Sequence, residues 1–207
     1  MSSERIVIFS KSADAGKVKT RMFPVLNVER CLDLHLALLQ DTLTKVRQFS
    51  AVLYLAGSGH LPFVPDVQLW NQHGHDLGER MMNAFQKELG NFSRVIIIGI
   101  DSPTFPVDTI TRAFTALESR DVVLGPSEDG GYYLIGLRKM IPELFFEIPW
   151  GTENVLPRTL EKLQHVSHVL LESCFDVDYP ADLLRLKNEL KVNIAPHTQH
   201  LRKWFED

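Results

Sequence analysis

The stretch GPSEDGG, Gly125 to Gly131, sets Glu128 and Asp129 beside two consecutive glycines, between two apolar runs that both read as strands. A turn needs one or two special residues, so the extra polarity invites a chemical reading. A carboxylate here could take a proton from a bound group, and Gly130 and Gly131 would let a ligand approach the backbone. Asp129 is the candidate general base, with Glu128 beside it. The competing expectation is a glycine-rich turn in which Asp129 hydrogen-bonds its own backbone.

Four further loops carry charged groups. In VIIIGIDSPTFP an apolar strand ends at Asp101, and Pro103 and Pro106 stop the chain from continuing as strand or helix. An acid held there suits a hard divalent cation, since Mg²⁺ takes one or two carboxylates plus substrate phosphate oxygens. It equally suits a turn before Ser102. FDVDYPADL adds Asp176 and Asp178 ahead of a helix beginning near Pro180, where one acid could serve as the cap. The first loop, KSADAGKVKTRM, gathers Lys11, Lys17, Lys19 and Arg21 around Gly16, a composition suited to a diphosphate. It is not a P-loop, because Gly16-Lys17 is followed by Val18 where that motif needs Ser or Thr. HGHDLGERM brings His73, His75, Asp76, Glu79 and Arg80 together without a helical histidine pair. It reads as a helix entry capped near Asp76 or Gly78, with Arg80 able to reach a cleft.

These loops need elements to hold them. RIVIFS, AVLYLAG, RVIIIGI, DVVLGP and YYLIGL are short, nearly continuous apolar runs, the pattern of strands covered on both faces. Between them, VERCLDLHLALLQDTLTKVRQF places Val28, Leu32, Leu36, Leu39, Leu43 and Val46 on a helical stripe, with Asn27 as cap. GERMMNAFQKEL, VDTITRAFTALE and ADLLRLKNEL read as further helices. Alternating strands and helices imply an α/β fold, a mostly parallel sheet with helices on both faces, as one domain over residues 1–207. In such sheets ligands bind beyond the carboxyl ends of the strands, where the loops above converge.

Composition removes several function classes. The chain has 207 residues, 44% hydrophobic, with a formal charge of −4, so nucleic acid and anionic membrane are not expected partners. No apolar run approaches the ~20 residues of a membrane span, and the opening residues lack a signal-peptide layout, so a cytoplasmic location is expected. Cys31 and Cys174 read as reduced thiols. HTQHLRKWFED reads as a C-terminal amphipathic helix with Leu201, Trp204 and Phe205 on one side. Packing on the core is expected, and a homodimer contact is the alternative.

Taken in order, FSKSADAGKVKTRM, DLGERM, GIDSP, GPSEDGGYYLIGL, PWGTENVL and DVDYPADL resemble a bacterial group of A-type glycosyltransferases in the nucleotide-diphospho-sugar transferase superfamily, including an arsenosugar-biosynthesis branch. The resemblance covers the chain to about Leu190. It implies a glycosyltransferase-A, Rossmann-like fold that binds a nucleotide or nucleotide-sugar through Mg²⁺ or Mn²⁺ and serves a small-molecule acceptor. Asp101 and one or both of Asp176 and Asp178 would be the metal-side acids. Lys11, Gly16, Lys19, Thr20, Arg21, Gly78 and Arg80 would lie on the nucleotide side, and Gly130, Gly131 and Trp150 on the acceptor side. Three positions depart from the group. Ala13 replaces a proline, Gly151 stands where serine is common, and Tyr179 replaces a threonine, which would leave Asp178 to cap the next helix. The implied reaction is glycosyl transfer from a nucleotide-sugar. The alternatives are guanylyltransferase-like nucleotidyl transfer with release of pyrophosphate, and nucleotide binding without turnover.

Overall fold

A computed structural model describes residues 3–190 and 195–201. Seven strands form one sheet in the order β3-β2-β1-β4-β6-β5-β7. They are β1 (Glu4–Lys11), β2 (Ala51–Ala56), β3 (Gln68–Asn71), β4 (Arg94–Ile98), β5 (Val122–Pro126), β6 (Tyr132–Leu137) and β7 (His168–Leu170). β1 pairs in parallel with β2 and β4, β2 with β3, and β5 with β7. Only β6 runs antiparallel, to both β4 and β5. The expected mostly parallel sheet is therefore present, with one hairpin where the sequence places two apolar runs without a helix between them.

The continuous apolar runs have a direct cause. Along β1, Ile6 and Ile8 join one core while Val7 and Phe9 join the other, and β2 and β4 alternate in the same way. Successive side chains point to opposite faces, so a strand covered on both sides is apolar at every position. α1 (Val28–Val46), α3 (Asp108–Ala116) and α5 (Pro180–Glu189) cover one face. α2 (Leu77–Leu89) and α4 (Val155–Lys162) cover the other.

Several expectations need correcting. Asn27 caps α1 by accepting from Arg30 N at 2.8 Å, as read from the sequence. The helix is, however, turned from the anticipated stripe. Val28 is exposed and Leu32, Leu36 and Leu43 are only partly buried, while Cys31, Leu34, His35, Leu38, Asp41 and Thr42 face inward. Hydrophobic counting omits inward polar groups, and here three of them lie on the buried side. β3 and β7 were not anticipated, because β3 is exposed at every position and β7 is three residues long. Both are edge strands. Of the C-terminal helix, Pro196–Gln199 forms α6 and Leu201 is buried in the core, while Trp204 and Phe205 lie outside the described residues.

Asp41 fastens that segment to α1. Its buried carboxylate accepts from His197 N at 2.9 Å and Thr198 N at 2.8 Å, and from the Thr198 hydroxyl. Two backbone donors at the start of α6 therefore depend on one side chain. Asp41→Ala should lower unfolding stability by about 1–3 kcal/mol, the usual result of orphaning buried donors. Urea denaturation reads this as a lower midpoint at unchanged slope, and an unchanged midpoint would refute the anchoring role.

Candidate functional site

The carboxyl ends of β1 and β4 and the turn between β5 and β6 open onto one cleft of about 630 Å³. The sheet order spreads its lining in a line. Ala56 and Gln72 lie at the β2–β3 end, Ser10 and Lys11 at the end of β1, Asp101 after β4, and Asp129 and Tyr132 at the β5–β6 turn. Neighbouring strands stand about 4.8 Å apart, so the line from β2 to β6 extends over roughly 15 Å. This is the crevice at the point where the strand order reverses, where open α/β sheets bind ligands.

At its centre sits Lys19. Its ammonium donates to Asp101 Oδ1 at 2.6 Å, Val177 O at 2.6 Å and Asp178 Oδ1 at 3.0 Å, and its side chain is only 4% exposed. The backbone there is left-handed, φ 49°, which for a non-glycine costs about 1–3 kcal/mol and persists where surrounding contacts over-determine it. Three strong acceptors supply those contacts. Burial opposes its charge, yet Asp101 and Asp178 hold the ammonium pKa above the ordinary lysine value. Arg21 meets the other oxygen, Asp178 Oδ2, at 3.1 Å and lies 5.0 Å from the Tyr179 ring. Burial would raise the Asp178 pKa, but these two cations hold it below the usual carboxylate range.

The metal-side acids were expected to be Asp101 with one or both of Asp176 and Asp178, and the fold gives these two different surroundings. Asp178 spends both oxygens on Lys19 and Arg21, and among the described residues no group of three or more His, Cys, Asp or Glu is placed to hold a metal. Nor does Asp178 cap α5. The Asp182 carboxylate takes that role, accepting from Tyr179 N at 2.7 Å and Asp178 N at 2.9 Å. Asp101 and Asp176 remain. Asp176 accepts from the Ser102 hydroxyl, and its pKa is pushed up to about 7 by burial and by the negative Asp101 and Asp129, against that hydrogen bond. Two carboxylates at a phosphate-sized cleft, Asp101 with only Oδ1 engaged by Lys19, fit a divalent cation completed by substrate oxygens.

Asp129 meets both readings of its loop. Its Oδ1 accepts from Gly131 N at 3.0 Å and the Ser127 hydroxyl at 2.6 Å, which closes the turn. Its other oxygen has no partner among the described residues, and the side chain lines the cleft. Glu128 is elsewhere: Arg185 clamps it with bonds of 2.5 and 2.8 Å, holding its pKa low, and it does not line the cleft. Gly130 is also structural. At φ 89° a Cβ would lie 2.3 Å from Glu153 O, so its close approach is to the chain itself. Gly131 does line the cleft.

Gly78 and Gly16 are corrected likewise. A Cβ at Gly78 would fall 2.4 Å from Trp150 Nε1, so this buried glycine seats an indole and no nucleotide. Gly16, at φ 79° with open space around it, turns the first loop outside the cleft. Lys11, Thr20, Arg21 and Arg80 do line it. Arg80 donates through Nε to Gly74 O at 3.1 Å, which leaves its terminal nitrogens for a ligand, and Asp76 caps α2 by accepting from Glu79 N.

Sequence reading missed three supports. His35 Nε2 bonds Lys11 O at 3.0 Å, and burial lowers its pKa, so the ring is neutral at the floor of the cleft. Gln72 Nε2 donates to Ser10 O at 3.1 Å and Tyr54 O at 2.9 Å, tying β1 to β2. Lys45 donates to Pro103 O and Phe105 O, each at 2.7 Å, and so holds the loop after Asp101. A histidine and a lysine in an amphipathic helix gave some signal. Gln72 follows a strand with no apolar pattern and gave none.

Residues 25–152 match the model of DUF2064, described as uncharacterized proteins conserved in bacteria. A protein of Desulfovibrio desulfuricans G20, assigned as a nucleotide-diphospho-sugar transferase, is 33% identical with a TM-score of 0.90, over 98% of this chain and 95% of that one. Rv0371c from Mycobacterium tuberculosis H37Rv, in complex with manganese, shares the fold at 16% identity and TM-score 0.54, over 89% and 98% of the two chains. CMP:2-keto-3-deoxy-manno-octonic acid synthetase complexed with CTP shares it at 13% identity and TM-score 0.53, over 89% and 97%. No curated protein matches the chain significantly. With most of its length matched by the family model and a relative aligned from end to end, the protein belongs to the DUF2064 family and has the nucleotide-diphospho-sugar transferase fold.

Proposed function

We propose that the protein is a divalent-metal-dependent transferase that takes a nucleotide-sugar donor and glycosylates a small acceptor. The observation that carries this reading is that one cleft gathers three kinds of group. Lys11 and Arg80 supply cationic groups for a diphosphate, Asp101 and Asp176 form a two-carboxylate station, and Asp129 and Trp150 line the same cleft. The Desulfovibrio relative and the manganese complex of Rv0371c support donor class and metal respectively.

The demanding event in such a transfer is the build-up of negative charge on the departing diphosphate. A Mg²⁺ or Mn²⁺ held by Asp101 and Asp176 would neutralise part of that charge as a Lewis acid. Lys11 and the free nitrogens of Arg80 would hold the phosphates in place, with charge-assisted bonds stronger than neutral ones. Lys19 fixes Asp101 through Oδ1 and leaves its second oxygen available. At the β5–β6 turn Asp129 is oriented by Ser127 and Gly131, so its unpaired oxygen can take the proton of an acceptor hydroxyl.

Glycosyl transfer and nucleotidyl transfer both suit the fold. A nucleotidyltransferase of the kind considered must also hold a phosphorylated acceptor. Identification of the released product separates them: nucleoside diphosphate is expected, and pyrophosphate would establish nucleotidyl transfer. Nucleotide binding without product from any nucleotide-sugar would leave a protein that binds and does not turn over.

Asp101→Asn should abolish the metal-dependent part of nucleotide stabilisation in a thermal-shift panel of UDP-, GDP-, ADP-, CDP- and dTDP-sugars with and without Mn²⁺. Circular dichroism should be unchanged, because the substitution is nearly isosteric. Full retention of the metal-dependent shift would remove Asp101 from the metal station. For Asp129→Asn, donor affinity should persist while transfer falls by about 10²-fold or more, the scale of general-base catalysis. Loss of donor affinity would instead place Asp129 with the nucleotide.

A further inference from the structure

We propose that the Lys19 ammonium is the fixed cation of the carboxylate station. It fills an oxygen cage that would otherwise take a second divalent ion, so the cleft loads one metal ion, and Lys19 gives no hydrogen bond to the phosphates. This rests on the metal-dependent reading above and makes Lys19 a positioning residue within it.

Donor counting argues first. An ammonium has three N–H donors and no acceptor. Lys19 spends them on Asp101 Oδ1 at 2.6 Å, Val177 O at 2.6 Å and Asp178 Oδ1 at 3.0 Å. None is left for a ligand, and so buried a side chain could reach a phosphate only by abandoning its acids. Lys11, which is exposed at the end of β1, is under no such constraint.

The cage argues second. Two carboxylate oxygens and a carbonyl oxygen, all within 3.0 Å of one nitrogen, are the ligands that a hard cation takes. They come from 82, 158 and 159 residues away in sequence, so the tertiary fold converges them on the ammonium. Asp101 is shared, with Oδ1 on Lys19 and its other oxygen left for the metal station. A second divalent ion at the same carboxylate would displace the ammonium or meet its like charge at close range. The site is thus filled by a cation that cannot dissociate.

The backbone argues third. Lys19 has φ 49°, a left-handed conformation that glycine adopts freely and that strains a residue with a side chain. The chain bears this strain at the residue that delivers the ammonium. Glycine would remove the strain and the cation together, which makes it the substitution of choice.

The experiment counts bound Mn²⁺ by native mass spectrometry on the full chain with UDP, GDP, ADP and CDP in turn. The wild-type complex should carry one ion and Lys19→Gly two, because the emptied cage becomes a cation site. At saturating Mn²⁺ the nucleoside diphosphate affinity of Lys19→Gly should fall by no more than about threefold. Equal counts in the two chains would overturn the proposal, and so would an affinity loss of about tenfold or more, the mark of a lost phosphate contact. Two ions on the wild type would overturn it whether or not the variant folds. A wild-type count of zero would defeat the metal-dependent reading alone, since Lys19→Gly should still carry one ion more.

Discussion

A sheet buried on both faces has its chemistry confined to its ends, and this constraint organises the molecule. Ile6 to Phe9, the middle of β1, send alternate side chains to one core and the other, and the middles of β2 and β4 do the same. Polar groups can then appear only where the strands stop. Asp101 follows β4, Lys11 ends β1 and Asp129 follows β5, so the carboxyl ends of three parallel strands deliver their loops to one crevice. The antiparallel β6 brings Tyr132 to the same edge by its start, which widens the crevice toward Trp150.

Lys19 joins these loops across the chain. Its ammonium links the segment after β1 to the segment after β4 and to the entry of α5, contacts separated by 82 and 159 residues in sequence. The left-handed backbone at Lys19 and the burial of its charge are both unfavourable alone. Two carboxylates and a carbonyl offset them, and in doing so commit Asp178 to structure. Burial above all, and with it the excess negative charge of Asp101 and Asp129, makes Asp176 hold its proton more tightly than an ordinary aspartate. The same excess is what a divalent cation would relieve.

Glycines of one stretch have different duties here. Gly130 and Gly131 are adjacent, yet the first makes room for the backbone at Glu153 and the second lines the cleft. Gly78 and Trp150 are 72 residues apart and form one unit. Composition and turn preference cannot divide these duties, because each depends on which distant atom occupies the place of a missing Cβ.

By itself the sequence determined the class of fold and the edge that carries chemistry, since doubly buried strands are apolar at every position and end on Asp101, Asp129 and the Lys11 loop. It also gave the Asn27 cap and narrowed the cap of α2 to Asp76 or Gly78, since caps act within one helical turn. The edge strands β3 and β7 escaped it, because a short exposed strand is held by ladder bonds to its neighbour and carries no hydrophobic signal. Which acid does what was decided only by tertiary structure. Glu128 and Asp129 are neighbours in sequence, and one faces Arg185 while the other faces the cleft. Asp176 and Asp178 are two residues apart, and only the second meets Lys19 and Arg21. Coulomb and hydrogen-bond energies depend on distance in space, and residues far apart along the chain set those distances.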